Sequence, residues 1–188
     1  MILVFSTSSP LTSLAWVDGK EVVWAAEKLA PRRASGALME LLEESPYELH
    51  QATEIIVDIG PGSFTGVRVG VTMAKMWAWT LRIPCSGVSS FDLINPNGAA
   101  VVPGGRGEVW LREPGEEPVR VPVESARHVR GYATFDEGEF PSAARIVEVS
   151  ATKILNSKPE NLTPIYLAEP NISIAKQKHI MGETFRDV

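Results

Sequence analysis

The residues whose types and spacing best suit ligand binding lie in one continuous run, Gly60-Pro61-Gly62-Ser63-Phe64-Thr65-Gly66-Val67-Arg68-Val69-Gly70. Gly60 and Gly62 permit backbone angles that are closed to other residues, Pro61 stiffens the turn, and Ser63 can cap a helix. Exposed N–H groups at such a corner can hold a phosphate. No Lys-Ser or Lys-Thr pair follows at P-loop spacing, so the turn is either a structural corner or a contact for an anion.

Other residues that could support catalysis are isolated in the sequence. The three histidines, His50, His128 and His179, lie far apart, and none has a second His or Cys at metal-ligand spacing. Cys85 has no basic neighbour that would activate its thiol. Asp58 either faces a cleft or is held by local hydrogen bonds, and we favour the second. We therefore predict no metal site, no catalytic residue and no peptidase activity.

The elements that position the run are clear in the first half of the chain. Three strands, with Asp18-Gly19 as a hairpin turn, precede an alternation of helices and strands. This βββαβαβα order predicts a mixed sheet covered by helices. The predicted strands cover residues 2–7, 11–17, 21–26, 54–59 and 84–88, and the predicted helices cover about 31–45, 64–82 and 89–94.

The second half gives weaker signals. Residues 95–122 are rich in Pro and Gly, with short strands predicted near 99–102, 108–112 and 119–121. Brief helices are predicted at 142–147 and 151–156. The change in composition near residues 95–98 predicts two domains, a lobe over 1–97 and a smaller, reduced second lobe over 98–188.

The helix predicted over residues 64–82 has more apolar surface than one sheet can cover. At 100° per residue, one apolar face is suited to lie on the sheet, yet a second apolar face remains. Either this chain covers the second face itself, with the first helix or the second half, or a partner protein covers it. The second face consists of Val69, Met73, Met76, Trp77 and Thr80.

Two further features extend this candidate interface. Gly66 and Gly70 lie one turn apart and would let another helix backbone approach. The first helix adds leucines that we expect to pack partly on the sheet. Met and Trp are residue types enriched in the cores of interfaces. The full predicted interface is Leu38, Leu41, Leu42, Gly66, Val69, Gly70, Met73, Met76, Trp77 and Thr80.

Composition excludes several classes of protein. Of the 188 residues, 44% are apolar and 22% are charged, which excludes global disorder. The net charge of −5 disfavours strong direct binding of nucleic acid. One cysteine, no signal peptide and no apolar run of membrane-spanning length predict a cytoplasmic protein without membrane contact.

The run from Gly60 to Gly70 resembles the signature of the bacterial TsaB family, also called YeaZ. The resemblance is dense over residues 1–95 and sparse beyond them. It is supported by four further segments: Ile2-Leu3-Val4-Phe5-Ser6-Thr7-Ser8, the pattern of Ser35, Leu38, Leu41 and Leu42, the segment Ile83-Pro84 with Gly87-Val88-Ser89-Ser90, and Pro164-Ile165-Tyr166-Leu167.

The resemblance implies an RNase H-like, actin-like (ASKHA) α/β fold and a scaffold role without catalysis. Such a subunit would serve the threonylcarbamoylation of adenosine 37 in tRNA. It would pair with a TsaD-type catalytic subunit and with a second copy of itself. A TsaE-type ATPase and a TsaC-type synthase would act with it. ATP and metal would sit on the TsaD-type and TsaE-type partners rather than on this chain alone, and tRNA would be contacted only indirectly.

Two residues depart from the family pattern. Ser6 stands where the family's first strand commonly ends in Asp, a carboxylate that superfamily enzymes use to manage a metal–nucleotide. Ala168 stands where the family often has Arg after Tyr-Leu. The alternative function, a sugar-kinase-like small-molecule kinase or ATPase, would require tight ATP binding by the isolated chain. Ser6 and the short second lobe do not favour that alternative.

Overall fold

The computed structural model describes residues 1–134 and 138–167. Its centre is a six-stranded sheet. The strands are β1 (Ile2–Ser6), β2 (Leu11–Asp18), β3 (Glu21–Leu29), β4 (Glu54–Asp58), β5 (Cys85–Val88) and, late in the chain, β10 (Leu155–Ser157). Their order in the sheet is β10-β5-β4-β1-β2-β3. The first three pair antiparallel as hairpins, and the predicted βββαβαβα order is confirmed.

Two long helices cover one face of this sheet. They are α1 (Ala34–Glu44) and α2 (Phe64–Leu81), which ends at Arg82 in a left-handed conformation. Alternate residues of β1 and β2, such as Phe5 and Trp16, bury their side chains beneath them. This apolar burial supplies the main driving force for placing α2 on the sheet.

The opposite face of the sheet is covered by short elements. A short helix, α3 (Ser90–Ile94), and a 3₁₀ helix, Ala143–Glu148, contribute Leu93 and Ile146 to a second apolar cluster with Val4. The remaining 3₁₀ helices of the described chain are Leu49–Gln51, Val123–Ala126, Ala151–Lys153 and Pro159–Asn161.

A second, four-stranded sheet is formed by β6 (Ala100–Gly105), β7 (Glu108–Arg112), β8 (Val119–Pro122) and β9 (Arg130–Gly131). Their order is β8-β7-β6-β9. An ion pair fastens this sheet to α3, because Asp92 accepts from Arg112 of β7 at 2.8 Å. The Asp92 side chain is almost fully buried and forms a second ion pair, at 3.2 Å, with Lys153 of the later part of the chain.

The later part of the chain returns to the first sheet. β10 pairs antiparallel with β5, and the segment Ala143–Glu148 packs on β1, β2 and β3. The helix predicted over 151–156 is therefore wrong beyond Lys153, since Leu155–Ser157 form a strand. The division into domains at residues 97 and 98 stays a prediction. No helix of the described residues is long and apolar enough to cross a lipid bilayer.

The parallel pairing of β1 with β4 decides where polar side chains meet. β4 in turn pairs parallel with β5. The carboxyl ends of parallel neighbours lie at the same edge of a sheet, which brings Ser6, Asp58 and the turn after β4 together.

Candidate functional site

The turn from Gly60 to Ser63 is bonded to the connection between β1 and β2. The N–H of Ser63 donates to the carbonyl of Ser8 at 2.6 Å, and the Ser63 hydroxyl accepts from the N–H of Gly66 at 3.3 Å, which caps α2. Gly60 has a φ of +97°, a conformation that favours glycine. The N–H and the hydroxyl of Ser63 thus both form hydrogen bonds within the chain, as expected of a structural corner.

A buried carboxylate lies directly behind this turn. Asp58 has no exposed surface, and three hydroxyls donate to it: Ser6 at 2.6 Å, Ser8 at 2.5 Å and Ser90 at 2.6 Å. The N–H of Gly60 donates a fourth bond at 2.8 Å. Asp58 therefore faces no cleft and is held by local hydrogen bonds. It joins β1, β4 and α3 at one point.

Burial raises the pKa of Asp58 above its ordinary value, because it penalises the charged form. The donors from Ser6, Ser8, Ser90 and Gly60 oppose this rise by stabilising the carboxylate. A carboxylate with four donors and no access to solvent cannot act as a general base on an external substrate. Its role in this geometry is to hold the signature turn in place.

The close approach predicted for Gly66 and Gly70 is real, but the neighbour is not another helix. A Cβ at Gly66 would lie 2.0 Å from the carbonyl oxygen of Thr7, and one at Gly70 would lie 2.4 Å from Thr7 Oγ1. The Thr7 hydroxyl donates to the carbonyl of Gly66 at 2.8 Å. The prediction that these glycines admit a partner helix is therefore corrected, because the β1–β2 connection occupies their space.

The second apolar face of α2 divides into an inner and an outer part. Trp77 is 7% exposed and meets the ring of Phe5 edge-on at 5.6 Å, so it belongs to this chain's core. Val69 and Met73 are half-buried, Met76 is 53% exposed and Thr80 is exposed. We call Val69, Met73, Met76 and Thr80 the outer helical face.

The first helix lies beside α2 and covers part of its surface. Leu38 and Leu41 are fully buried under α1, and Leu42 is half-buried. Their burial leaves little side-chain surface of Leu38 and Leu41 for a partner. Met39 of α1, which the sequence did not single out, is 41% exposed.

A groove of about 560 Å³ opens between the starts of both helices and the β1–β2 connection. Val69 lines it, so the groove is continuous with the outer helical face. Ser9, Arg32, Ser35 and Thr65 add polar groups to a lining that is otherwise largely apolar. The neighbourhood therefore offers an apolar contact surface beside a recess of mixed polarity.

The other residues considered for chemistry lie elsewhere. His50 Nδ1 is 3.0 Å from Glu48 on the surface, His128 is exposed, and His179 lies outside the described residues. Cys85 is buried, which raises the pKa of its thiol to about 11. No group of three or more His, Cys, Asp or Glu in residues 1–134 and 138–167 is arranged to hold a metal ion.

Sequence reasoning missed the exposure of Trp79, which is 81% exposed near the end of α2. The signal was present in the helical spacing, because Trp79 shares a polar stripe with Arg68, Lys75 and Arg82. With Lys75 and Arg82 it lines a second groove, of about 750 Å³.

The sequence of this chain is similar to a known protein family and to several known proteins. A family model described as TsaD, tRNA N6-adenosine threonylcarbamoyltransferase, matches residues 25–181. The Bacillus subtilis tRNA threonylcarbamoyladenosine biosynthesis protein TsaB is 47% identical over 66 residues, which cover 35% of this chain and 29% of that protein. The Escherichia coli protein of the same name is 31% identical over 126 residues, 60% of this chain and 54% of that protein. The chain thus spans about half or less of the length of these curated relatives.

Two solved structures from Pseudomonas aeruginosa share the fold. YeaZ has a TM-score of 0.68 at 16% identity, and an uncharacterized protein with similarity to peptidase YEAZ has a TM-score of 0.69 at 19% identity. They cover 88% and 89% of this chain and 99% of their own chains. The RNase H-like, actin-like (ASKHA) fold class is thereby confirmed. With the family match over most of its length, the chain belongs to the TsaB (YeaZ) family, within the wider family that the TsaD model describes.

Proposed function

We propose that this chain is a scaffold subunit in the biosynthesis of threonylcarbamoyladenosine at position 37 of tRNA. It acts in the cytoplasm and binds a TsaD-type catalytic subunit through the outer helical face. The names of the Bacillus and Escherichia relatives support the process. The exposure of Met76 on a helix that already buries one apolar face is the observation that carries the binding surface.

The chemistry of α2 supports docking at this place. The helix contains no acidic residue, and its outer helical face joins Val69, Met73 and Met76 in one turn-by-turn row. An exposed methionine beside half-buried apolar neighbours loses unfavourable contact with water when a partner covers it. A flexible thioether also adapts to the shape of the facing surface.

The polar groups of the chain support a role without catalysis. Asp58, Ser6, Ser8 and Ser90 satisfy one another in a closed cluster. In this proposal the TsaD-type subunit performs the transfer and holds the metal, and the TsaE-type ATPase uses the ATP. The chain binds no cofactor alone. Its net charge of −5 fits contact with tRNA only through the partners.

Co-purification with a TsaD-type subunit tests the proposal. Met76→Glu places a charge on the outer helical face and should abolish capture, while the circular dichroism spectrum stays unchanged. Thr72→Glu is the matched control, since it adds the same charge to an exposed position of α2 outside that face. Equal capture of both variants and the wild-type chain would refute the proposed surface.

Calorimetry separates this function from that of a kinase or ATPase. Titration of the isolated chain with magnesium-ATP should give no heat of binding at tens of micromolar protein. Micromolar binding would favour the kinase alternative over the scaffold function.

A further inference from the structure

One stripe of α2, outside the outer helical face, carries three cations and a tryptophan. Arg68, Lys75, Trp79 and Arg82 follow one another at spacings of seven, four and three residues, which places them along one side of the helix. Arg68, Trp79 and Arg82 are exposed, and Lys75 is half-buried. We call these four residues the basic ridge, which is about 21 Å long at the helical rise per residue.

The positive charges of the basic ridge are not balanced within the described part of the chain. α2 contains no acidic residue. None of the ion pairs formed within residues 1–134 and 138–167 involves Arg68, Lys75 or Arg82. Since the whole chain has a net charge of −5, this surface is a local excess of positive charge. It is electrostatically complementary to an acidic partner.

The groove beside Trp79 is already formed in the structure. Its walls are α2 and the 3₁₀ helix Pro159–Asn161. Lys75 holds these walls together, because its ammonium donates to the carbonyls of Glu160 and Leu162 at 3.2 Å each. The apolar side chains that line the groove include Ala78, Ile83 and Pro159. An apolar side chain of a partner can therefore enter the groove and lie against the indole ring.

Trp79 leaves a large apolar surface in water. It is 81% exposed, and a covered tryptophan side chain removes about 150–250 Å² from solvent. Trp and Arg are among the residue types that contribute most to the binding energy of protein interfaces. Trp79 and Arg82 lie about one helical turn apart, so one partner can contact both.

We propose that the basic ridge binds an acidic protein segment, one of whose apolar side chains enters the groove beside Trp79. Carboxylates of the segment pair with Arg82 and with the other cations of the ridge. The basic ridge and the outer helical face are neighbouring stripes of α2, about 100° apart around the helix. The binding of the acidic segment does not rest on the proposed function, and it leaves the outer helical face free for the catalytic subunit.

The lining of the groove favours a protein segment over single-stranded nucleic acid. Glu160 borders the groove, and a phosphate chain would bring a negative charge towards this carboxylate at every nucleotide. A peptide can place a neutral residue at this point. Among the described residues, Trp79 is the one aromatic residue that lines the groove, whereas surfaces that bind single strands stack successive bases on several rings.

Fluorescence polarisation of a short labelled peptide, measured with the full chain, tests the proposal. The probe carries glutamates on both sides of two leucines. It should bind the wild-type chain with an affinity that falls as salt increases. Arg82→Glu and Trp79→Ala should each weaken binding at least about fivefold, with unchanged circular dichroism spectra.

Arg127→Glu is the matched control for Arg82→Glu. Arg127 is another exposed arginine without an ion pair among the described residues, and it follows the 3₁₀ helix Val123–Ala126. Both substitutions change the net charge equally, but Arg127 lies outside the basic ridge. Its variant should bind the probe within about twofold of the wild type.

The outcomes decide in both directions. Loss of binding in Arg82→Glu and Trp79→Ala, with binding kept in Arg127→Glu, supports the proposal. Absence of binding by the wild-type chain at hundreds of micromolar overturns it, as does an equal loss in Arg127→Glu. Equal affinity for a probe with serines in place of the leucines overturns the entry of an apolar side chain. Tighter binding of a labelled oligouridine, lost in Trp79→Ala, overturns the assignment by giving the surface to RNA.

Capture of a TsaD-type subunit by Trp79→Ala separates this proposal from the proposed function. Capture should equal that of the wild-type chain, because Trp79 lies outside the outer helical face. Loss of capture would place the basic ridge in the contact with the catalytic subunit and overturn the separate surface. Failed capture by the wild-type chain, with probe binding intact, would refute the proposed function alone.

Discussion

Asp58 shows how one side chain links the signature turn to the sheet. Its oxygens accept from Ser6 on β1, from Ser90 on α3 and from the backbone of Gly60 in the turn. Ser6 occupies the position at which the family's first strand commonly ends in Asp. Here the carboxylate comes instead from the neighbouring strand β4 and points into the protein. The carboxylate at this edge of the sheet is thus a buried junction between β1, the turn and α3.

The burial of Asp58 predicts a specific dependence of stability on pH. Because its pKa is raised, the folded chain keeps a proton that the unfolded chain releases between the ordinary Asp value and the raised one. The contribution of this group to the unfolding free energy therefore falls as pH rises through that interval. Asp58→Asn lacks the contribution, so the variant should gain stability relative to the wild type as the pH rises above the ordinary Asp pKa of about 3.9.

Urea unfolding of both proteins across this range measures the difference. The carboxylates of Glu40 and Glu139, whose pKa values are lowered by their basic partners, are common to both chains and cancel in the comparison. A difference in unfolding free energy that does not change with pH, or that changes in the opposite direction, contradicts this account of Asp58.

At the scale of elements, local patterns predicted most of the fold. The apolar spacing of α1 and α2 and the turn at Asp18-Gly19 are readable within a few residues, because helical and strand periods differ. β10 was missed because its three residues carry no alternating pattern, and its pairing with β5 joins segments about 70 residues apart. Such a long-range partner cannot be read from the strand itself.

The candidate site was also predicted only in part, because spacing shows which residues share a helix face but not which distant residues they contact. Helical spacing placed Met76 and Thr80 on one face of α2, and both are exposed in the structure. It could not show that Trp77 turns inward onto Phe5, since this depends on the shape of the core. It also assigned the small residues Gly66 and Gly70 to a helix–helix contact, although Thr7 fills the space.

The contact between α2 and Thr7 predicts a coupled pair of substitutions. Gly70→Ala should destabilise the chain by about 2 kcal/mol, because its Cβ meets Thr7 Oγ1, despite the better helix propensity of alanine. Thr7→Ala should cost about 1 kcal/mol through the lost bond to Gly66. The loss of unfolding free energy in the double variant should be about 1 kcal/mol smaller than the sum of the two single losses.

A thermal-denaturation cycle of the four proteins measures this coupling. Strict additivity would show that the helix and the β1–β2 connection do not contact each other as described. Met76→Ala, on the same helix but outside the groove that Thr7 lines, serves as the additive control.

At the scale of the whole molecule, the described residues combine an exposed helical face with a closed polar interior. The outer helical face lies on α2, and β3 lies at one edge of the first sheet. Asp92 of α3 forms ion pairs with Arg112 of the second sheet and with Lys153. These two ion pairs connect the second sheet and the later part of the chain to α3.

The affinity of this chain for a TsaD-type subunit, measured by titration calorimetry, decides whether the outer helical face is a docking surface. We expect one-to-one binding that is at least about tenfold weaker for Met76→Glu, because a charge would enter an apolar contact. Thr72→Glu should bind within about twofold of the wild type, as expected for a surface change outside the contact. Binding of Met76→Glu with wild-type affinity, or no binding by the wild-type chain, would contradict the account.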